Sequence, residues 1–123
     1  MQVNILGAVY ECEYRLPEQD KALTKCDGYC DSSIRRIVVK DYTDDDRREP
    51  MALSNLDAYK RKCMRHEIVH AFLHESGLTV NSANVEAWAS CEEIVDWIAI
   101  QGPKIYAAWQ QAACLEVMHG GGA

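Results

Sequence analysis

His66, Glu67 and His70 stand in the run His-Glu-Ile-Val-His, an H-E-x-x-H pattern. On a helix, four-residue spacing puts both imidazoles on one face, one turn apart. That suits two adjacent corners of a zinc tetrahedron. Glu67 follows the first histidine and points to the same side, where it can take a proton from a metal-bound water. Ala71, Phe72 and Leu73 follow directly, so the run reads as the middle of a helix with an apolar face.

A catalytic zinc needs a third protein ligand and one open position. A third histidine following a glycine at fixed spacing is excluded, because Leu73 and Ser76 occupy those places. A second helix offers Glu92 and Glu93 within Cys91-Glu92-Glu93-Ile94-Val95-Asp96. At about 100° per residue, Trp88, Cys91, Val95, Ile98 and Ala99 gather on one side of that helix. Glu92 falls at the margin of this face and Glu93 nearly opposite it, which selects Glu92 as the metal ligand. Asp96 lies one turn beyond Glu92 and is placed to accept the other ring N–H of a ligand histidine. His74, one turn after His70, shares the histidine face and reads as an outer group beside the metal or substrate.

These residues need elements to hold them. Residues 2–15 read as a strand, or a bent pair of strands about Gly7, ended by Pro17. Residues 18–25 have helix formers, and residues 26–31 are rich in turn residues. The β-branched run 34–42 reads as a strand, and residues 43–50 as a charged loop. The helix carrying the histidines spans about 54–76, with Gly77 just past its end. A second helix runs over about 85–101. Gly102-Pro103 interrupts it, and a third helix continues to about 118. The resulting class is α+β: a short sheet packed on the histidine-bearing helix, a second ligand-bearing helix and a C-terminal helix. It forms one domain over 1–118, with a tail at 119–123 that includes His119.

The composition sets limits on function. The chain has 123 residues, 48% of them hydrophobic, and a formal charge of -6 from 13 basic and 19 acidic residues. An acidic chain of this size argues against a nucleic-acid partner held through phosphates, and no apolar run is long enough for a bilayer. The N-terminus lacks the pattern of an export signal, so a reducing, cytoplasmic setting is expected for its six cysteines. Cys26 and Cys30 are spaced too loosely for the common zinc knuckle, and buried thiols are the favoured reading. Cys63 and Cys91 stand near the metal motifs. The basic cluster Lys60, Arg61, Lys62 and Arg65 reads as a solvated helix face balanced by Asp44, Asp45 and Asp46. Trp88, Trp97 and Trp109 read as packing residues.

Together, His-Glu-x-x-His on one helix and Glu92-x-x-x-Asp96 on the next resemble the gluzincin superfamily of zinc metallopeptidases. The run HEIVHAFLHESGL followed by VDWIA is similar to small phage- and prophage-encoded members related to ImmA/IrrE-type peptidases. Gly28-Tyr29-Cys30-Asp31 before IRRIVV is similar to them too. The resemblance covers roughly residues 28–105. It implies a minimal zincin-like fold, a zinc ion held by His66, His70 and Glu92, and Glu67 as general base. It also implies a protein or peptide substrate, with the strand at 34–40 presenting its edge to that substrate across the cleft.

Overall fold

The computed structural model describes residues 1–81 and 92–116; for Asn81, Glu92, Val95, Asp96 and Ala99 it describes the backbone alone. The described chain is mixed α+β. Strands β1 (Gln2–Ile5), β2 (Ala8–Arg15), β3 (Gly28–Asp31) and β4 (Arg36–Lys40) precede helices α1 (Asp44–Arg48), α2 (Leu56–Glu75), α3 (Leu78–Asn81) and α4 (Glu92–Gln111). The strands form one sheet in the order β1-β2-β4-β3. β1 and β2 are an antiparallel hairpin, β2 and β4 run parallel, and β3 returns antiparallel to β4.

Alternation explains the sheet's two faces. Val3, Ile5, Tyr10, Cys12, Ile37 and Val39 are buried in the main core, while Gln2, Asn4, Val9 and Glu11 are exposed. Val38 is also buried but lies outside that cluster, as its place between Ile37 and Val39 requires. At the first hairpin, Ile5 pairs with Ala8, and both intervening residues, Leu6 and Gly7, have positive φ. That is the geometry a two-residue hairpin turn demands, so the expected bend at Gly7 is a full reversal.

Helix α2 lies across the core face of the sheet. Asn55 caps its start by accepting from the Ala58 amide at 3.0 Å, and Gly77, with φ 81°, follows its C-cap Ser76. Met64, Ile68, Ala71 and Phe72 recur at helical spacing and are all fully buried in the core. The Tyr10 hydroxyl, coming up from the sheet, donates to Glu75 at 2.7 Å and ties down the last turn.

Four local expectations change. Residues 43–50 contain a short helix, because Thr43 and Asp46 form a reciprocal capping box. Residues 21–24 form a single 3-10 turn capped by Asp20. Gly28–Asp31, which reads as turn, is a strand paired with β4. Gly102-Pro103 does not break the second helix: α4 is continuous from Glu92 to Gln111. Proline removes one helical N–H there, but Ile105 and Ala108 on the same helix, and Ala112 just past its end, are buried and anchor it to the core.

The packed face of α4 also differs from the sequence reading. Trp97 packs against the core, whereas Ile98 is 55% exposed. Trp109 packs against the core as expected; Trp88 lies outside the described residues.

The basic cluster on α2 is balanced, but not by Asp44–Asp46. Lys60 pairs with Asp41 at 2.9 Å, and Arg61 with Glu116 at 2.7 Å. Arg65 donates to the Cys114 carbonyl at 2.7 Å and also reaches Glu116.

Among the described cysteines, Cys12, Cys26, Cys30, Cys63 and Cys114 are free thiols. Only Cys12 and Cys114 are buried, and Cys26 is exposed, so buried packing accounts for part of the set. No helix of the described residues is long and apolar enough to cross a membrane.

Burial pushes Cys12 up to about 12, Cys114 to about 11, and the Tyr10 and Tyr14 hydroxyls to about 12. In the unfolded chain these groups lose their protons at lower pH, so above those ordinary values the folded state holds more protons. Stability then falls with rising pH. The urea midpoint should be level from pH 7 to about 8.5 and fall steeply by pH 11. A midpoint that holds through pH 11 would contradict this.

Candidate functional site

The three motif residues emerge on α2 where its buried face meets the edge of the sheet. Ile68 and Ala71 anchor the turn from below. His66 and His70 stand exposed on the outer side, while Glu67 is only 9% exposed. Glu67 is the one buried charged residue among those described. Glu67 therefore does not point to the same side as the histidines, contrary to the expectation from sequence: the step of about 100° between neighbouring helical residues leaves two accessible imidazoles and one carboxylate shielded from bulk water.

The two imidazole Nε2 atoms are 3.1 Å apart, with ring centroids at 4.8 Å and planes inclined at 69°. Two nitrogens bound to one tetrahedral zinc at 2.0–2.1 Å would be separated by about 3.3 Å. The 3.1 Å contact is a hydrogen bond between the two imidazoles, and it holds the rings at nearly the spacing that a shared ion would impose. Their chemistry fits as well, since neutral imidazole is a borderline ligand that zinc accepts.

Burial raises the proton affinity of Glu67, and the adjacent His66 and His70 oppose that shift. A carboxylate with raised affinity is a better proton acceptor near neutral pH than one in open water.

The strand opposite this turn is β3, which corrects the expectation placed on 34–40. β4 lies inside the sheet between β2 and β3, and β3 is the edge. The Lys40 amide donates to the Asp27 carbonyl at 2.9 Å. This fixes the phase of the antiparallel ladder. Tyr29 and Asp31 bond inward to β4, leaving the N–H and C=O groups of Gly28 and Cys30 directed off the edge. Sequence reading missed this strand because glycine and aspartate dominate 27–31. The signal available was its apolar neighbour β4, which needs a partner on that side.

Gly28 permits the close approach of β3 to Glu67. A Cβ there would lie 3.1 Å from the Val38 carbonyl oxygen, 3.2 Å from Val39 Cγ2 and 3.4 Å from Glu67 Cγ. Gly28→Val should therefore displace Glu67 or open the sheet edge. The expected cost is about 1–3 kcal/mol in urea unfolding, well above that of Val9→Ala on the exposed sheet face. Unchanged stability in Gly28→Val would show that β3 is free to move away.

Two hollows meet at this turn. A smaller one, about 280 Å³, is lined by Asp27, Gly28, Tyr59, Lys62, Cys63, His66 and Glu67. A wider one, about 500 Å³, continues past His70 to His74 and Thr79, with Tyr29, Cys30 and Ser32 on the strand side. His66, Glu67 and Gly28 belong to both, so the hollows form one groove between α2 and β3 with the motif at its centre. His74 lies where the sequence placed it, exposed on the histidine face and lining the groove.

The side chains of Glu92 and Asp96 lie outside the described residues, although both positions are helical in α4. Glu93 is exposed. The exposure of Ile98 removes one premise of the helical-face argument that preferred Glu92 to Glu93. Among the described residues, no group of three or more His, Cys, Asp or Glu side chains is arranged to hold a metal ion.

No protein-family model, curated protein or solved structure matches this chain.

Proposed function

We propose that the chain is a zinc-dependent metallopeptidase with a minimal zincin-like arrangement, of phage or prophage type, acting on a protein or peptide in the cytoplasm. The observation that carries this reading is the convergence of His66 and His70, Nε2 to Nε2 at 3.1 Å, beside the buried Glu67. His66, His70 and Glu92 would hold the ion. Bound there, zinc supplies polarisation of the scissile carbonyl and acidification of the attacking water.

The chain's own residues do the rest. An extended substrate lies in the groove and adds to the sheet edge, bonding the outward N–H and C=O groups of Gly28 and Cys30. This holds one peptide bond over the motif. Glu67 takes the proton of the attacking water and passes it to the departing amine. Burial limits the hydration of Glu67 and raises its proton affinity. Asp96 would accept the outer ring N–H of one ligand histidine and fix its tautomer. His74 lies further along the groove, beside the substrate rather than on the reacting atoms.

The test is hydrolysis of a mixed peptide library by the zinc-loaded chain, read by mass spectrometry. Cleavage at defined bonds, stopped by a chelator and restored by zinc, is expected. Zinc bound at these residues without cleavage of any peptide would favour a non-catalytic interaction or regulatory module on the same scaffold.

A further inference from the structure

Lys62, His66, His70 and His74 fall at successive four-residue steps on α2. Lys62 therefore stands about 6 Å along the axis before His66, on the same row. Its neighbours in the basic cluster are engaged: Lys60 by Asp41, Arg61 by Glu116, and Arg65 by Glu116 and the Cys114 carbonyl. Lys62 forms no ion pair among the described residues. Its ammonium group is 5.9 Å from the centre of the Tyr59 ring, and it lines the smaller hollow beside Glu67.

The other charge at that end is Asp27, whose carboxylate accepts from the Tyr59 hydroxyl. This bond joins the start of α2 to the approach of β3. The hollow, about 280 Å³, falls below the range typical of drug-sized ligands and suits one side chain or a chain end. An extended chain advances about 3.3 Å per residue. Lys62 is one helical turn from His66, so a group that it holds belongs to a residue near the scissile bond rather than a remote one.

We propose that Lys62 is a specificity-determining residue that selects a substrate carboxylate at this place. The carboxylate is an Asp or Glu side chain, or the free C-terminus of the substrate. The inference rests on the peptidase reading above. Because Lys62 is exposed, the pairing energy is modest, and the expected selectivity in kcat/KM is about 3–10-fold rather than absolute.

The test uses the zinc-loaded full chain and peptides carrying Glu, Gln or Lys at each position around the cleaved bond, with free or amidated C-termini. Wild type should favour Glu over Gln at one position if a side chain is read, or free over amidated ends if the terminus is read. Lys62→Ala should erase that preference, and Lys62→Glu should turn it toward Lys. Zinc content and circular dichroism matching wild type would show that both variants fold. Three results would overturn the inference: no charge preference in wild type, a preference that survives Lys62→Ala, or a preference for Lys that Asp27→Asn removes. In each of these the peptidase reading stands. Failure of the zinc-loaded wild type to cleave any peptide removes that reading and this inference together.

Discussion

Replacing Glu67 by Gln is expected to reduce peptide hydrolysis by about 10²–10⁴-fold, the usual contribution of a general base, while zinc remains bound. Glutamine keeps the shape of the side chain and removes its basicity. The site gives a reason to expect a clean separation of the two effects. Glu67 is buried beside Gly28, whereas the imidazoles proposed to hold the metal are exposed and belong to different residues. A neutral amide also avoids burying a charge, so the fold should be at least as stable as wild type. The measurement pairs kcat/KM on one cleaved peptide with zinc content and a urea midpoint. Activity within threefold of wild type, with zinc retained, would remove Glu67 from the proton transfer.

The second large effect is structural. Phe72→Ala should destabilise the protein by about 3–5 kcal/mol. Phe72 is fully buried, the chain's single phenylalanine, and part of the one contiguous core with Met64, Ile68 and Ala71. For a domain of this size that loss is a large share of the total stability and should lower Tm by about 10–20 °C. It should also weaken zinc binding, because the row that buries Phe72 orients the turn bearing His66 and His70. A drop below 1 kcal/mol in urea unfolding would mean that α2 is not held by this core. The surface change Val9→Ala, on the exposed sheet face, is the matched control and should stay within about 0.5 kcal/mol.

The sequence makes the motif helix legible because its two signals agree. The apolar positions Met64, Ile68, Ala71 and Phe72 recur at helical spacing, and Gly77 marks the end, while the Asn55 cap is seen only in the structure. The hairpin at Gly7 and the β-branched strand β4 follow from equally local rules. What escapes is set by partners distant in sequence. β3 is a strand because β4 has an open side, not because Gly28–Asp31 has strand propensity. Its edge position, and so the groove, depends on the order of the whole sheet. Pro103 remains inside α4 because Ile105 and Ala108 on the following turns, and Ala112 just past the helix, pack on the core, an outcome that overrides a local breaking signal. The face of α4 was read from its N-terminal half alone, where Ile98 and Ile100 are exposed. Trp97 is half-buried against the core, and the fully packed positions, Ile105 and Ala108, come later in the helix. The ion pairs of α2 likewise go to Asp41 and Glu116 rather than to the nearer acidic run at 44–46, since topology decides which charges meet.

The motif's division of labour needs only helix geometry and one buried face. Its spacing puts the histidines outward and Glu67 at the sheet margin. The groove adds direction, from Lys62 and Asp27 at one end to His74 and Thr79 at the other.

The central claim is that His66 and His70 share one zinc ion. It is tested most directly by metal analysis of the wild-type chain and of His66→Ala and His70→Ala, each supplied with zinc and then dialysed. The account predicts one zinc per chain in wild type and less than about a tenth of that in either variant, since a four-coordinate site missing one protein ligand binds far more weakly. A wild-type chain that holds no zinc, or variants that keep it, would contradict the account.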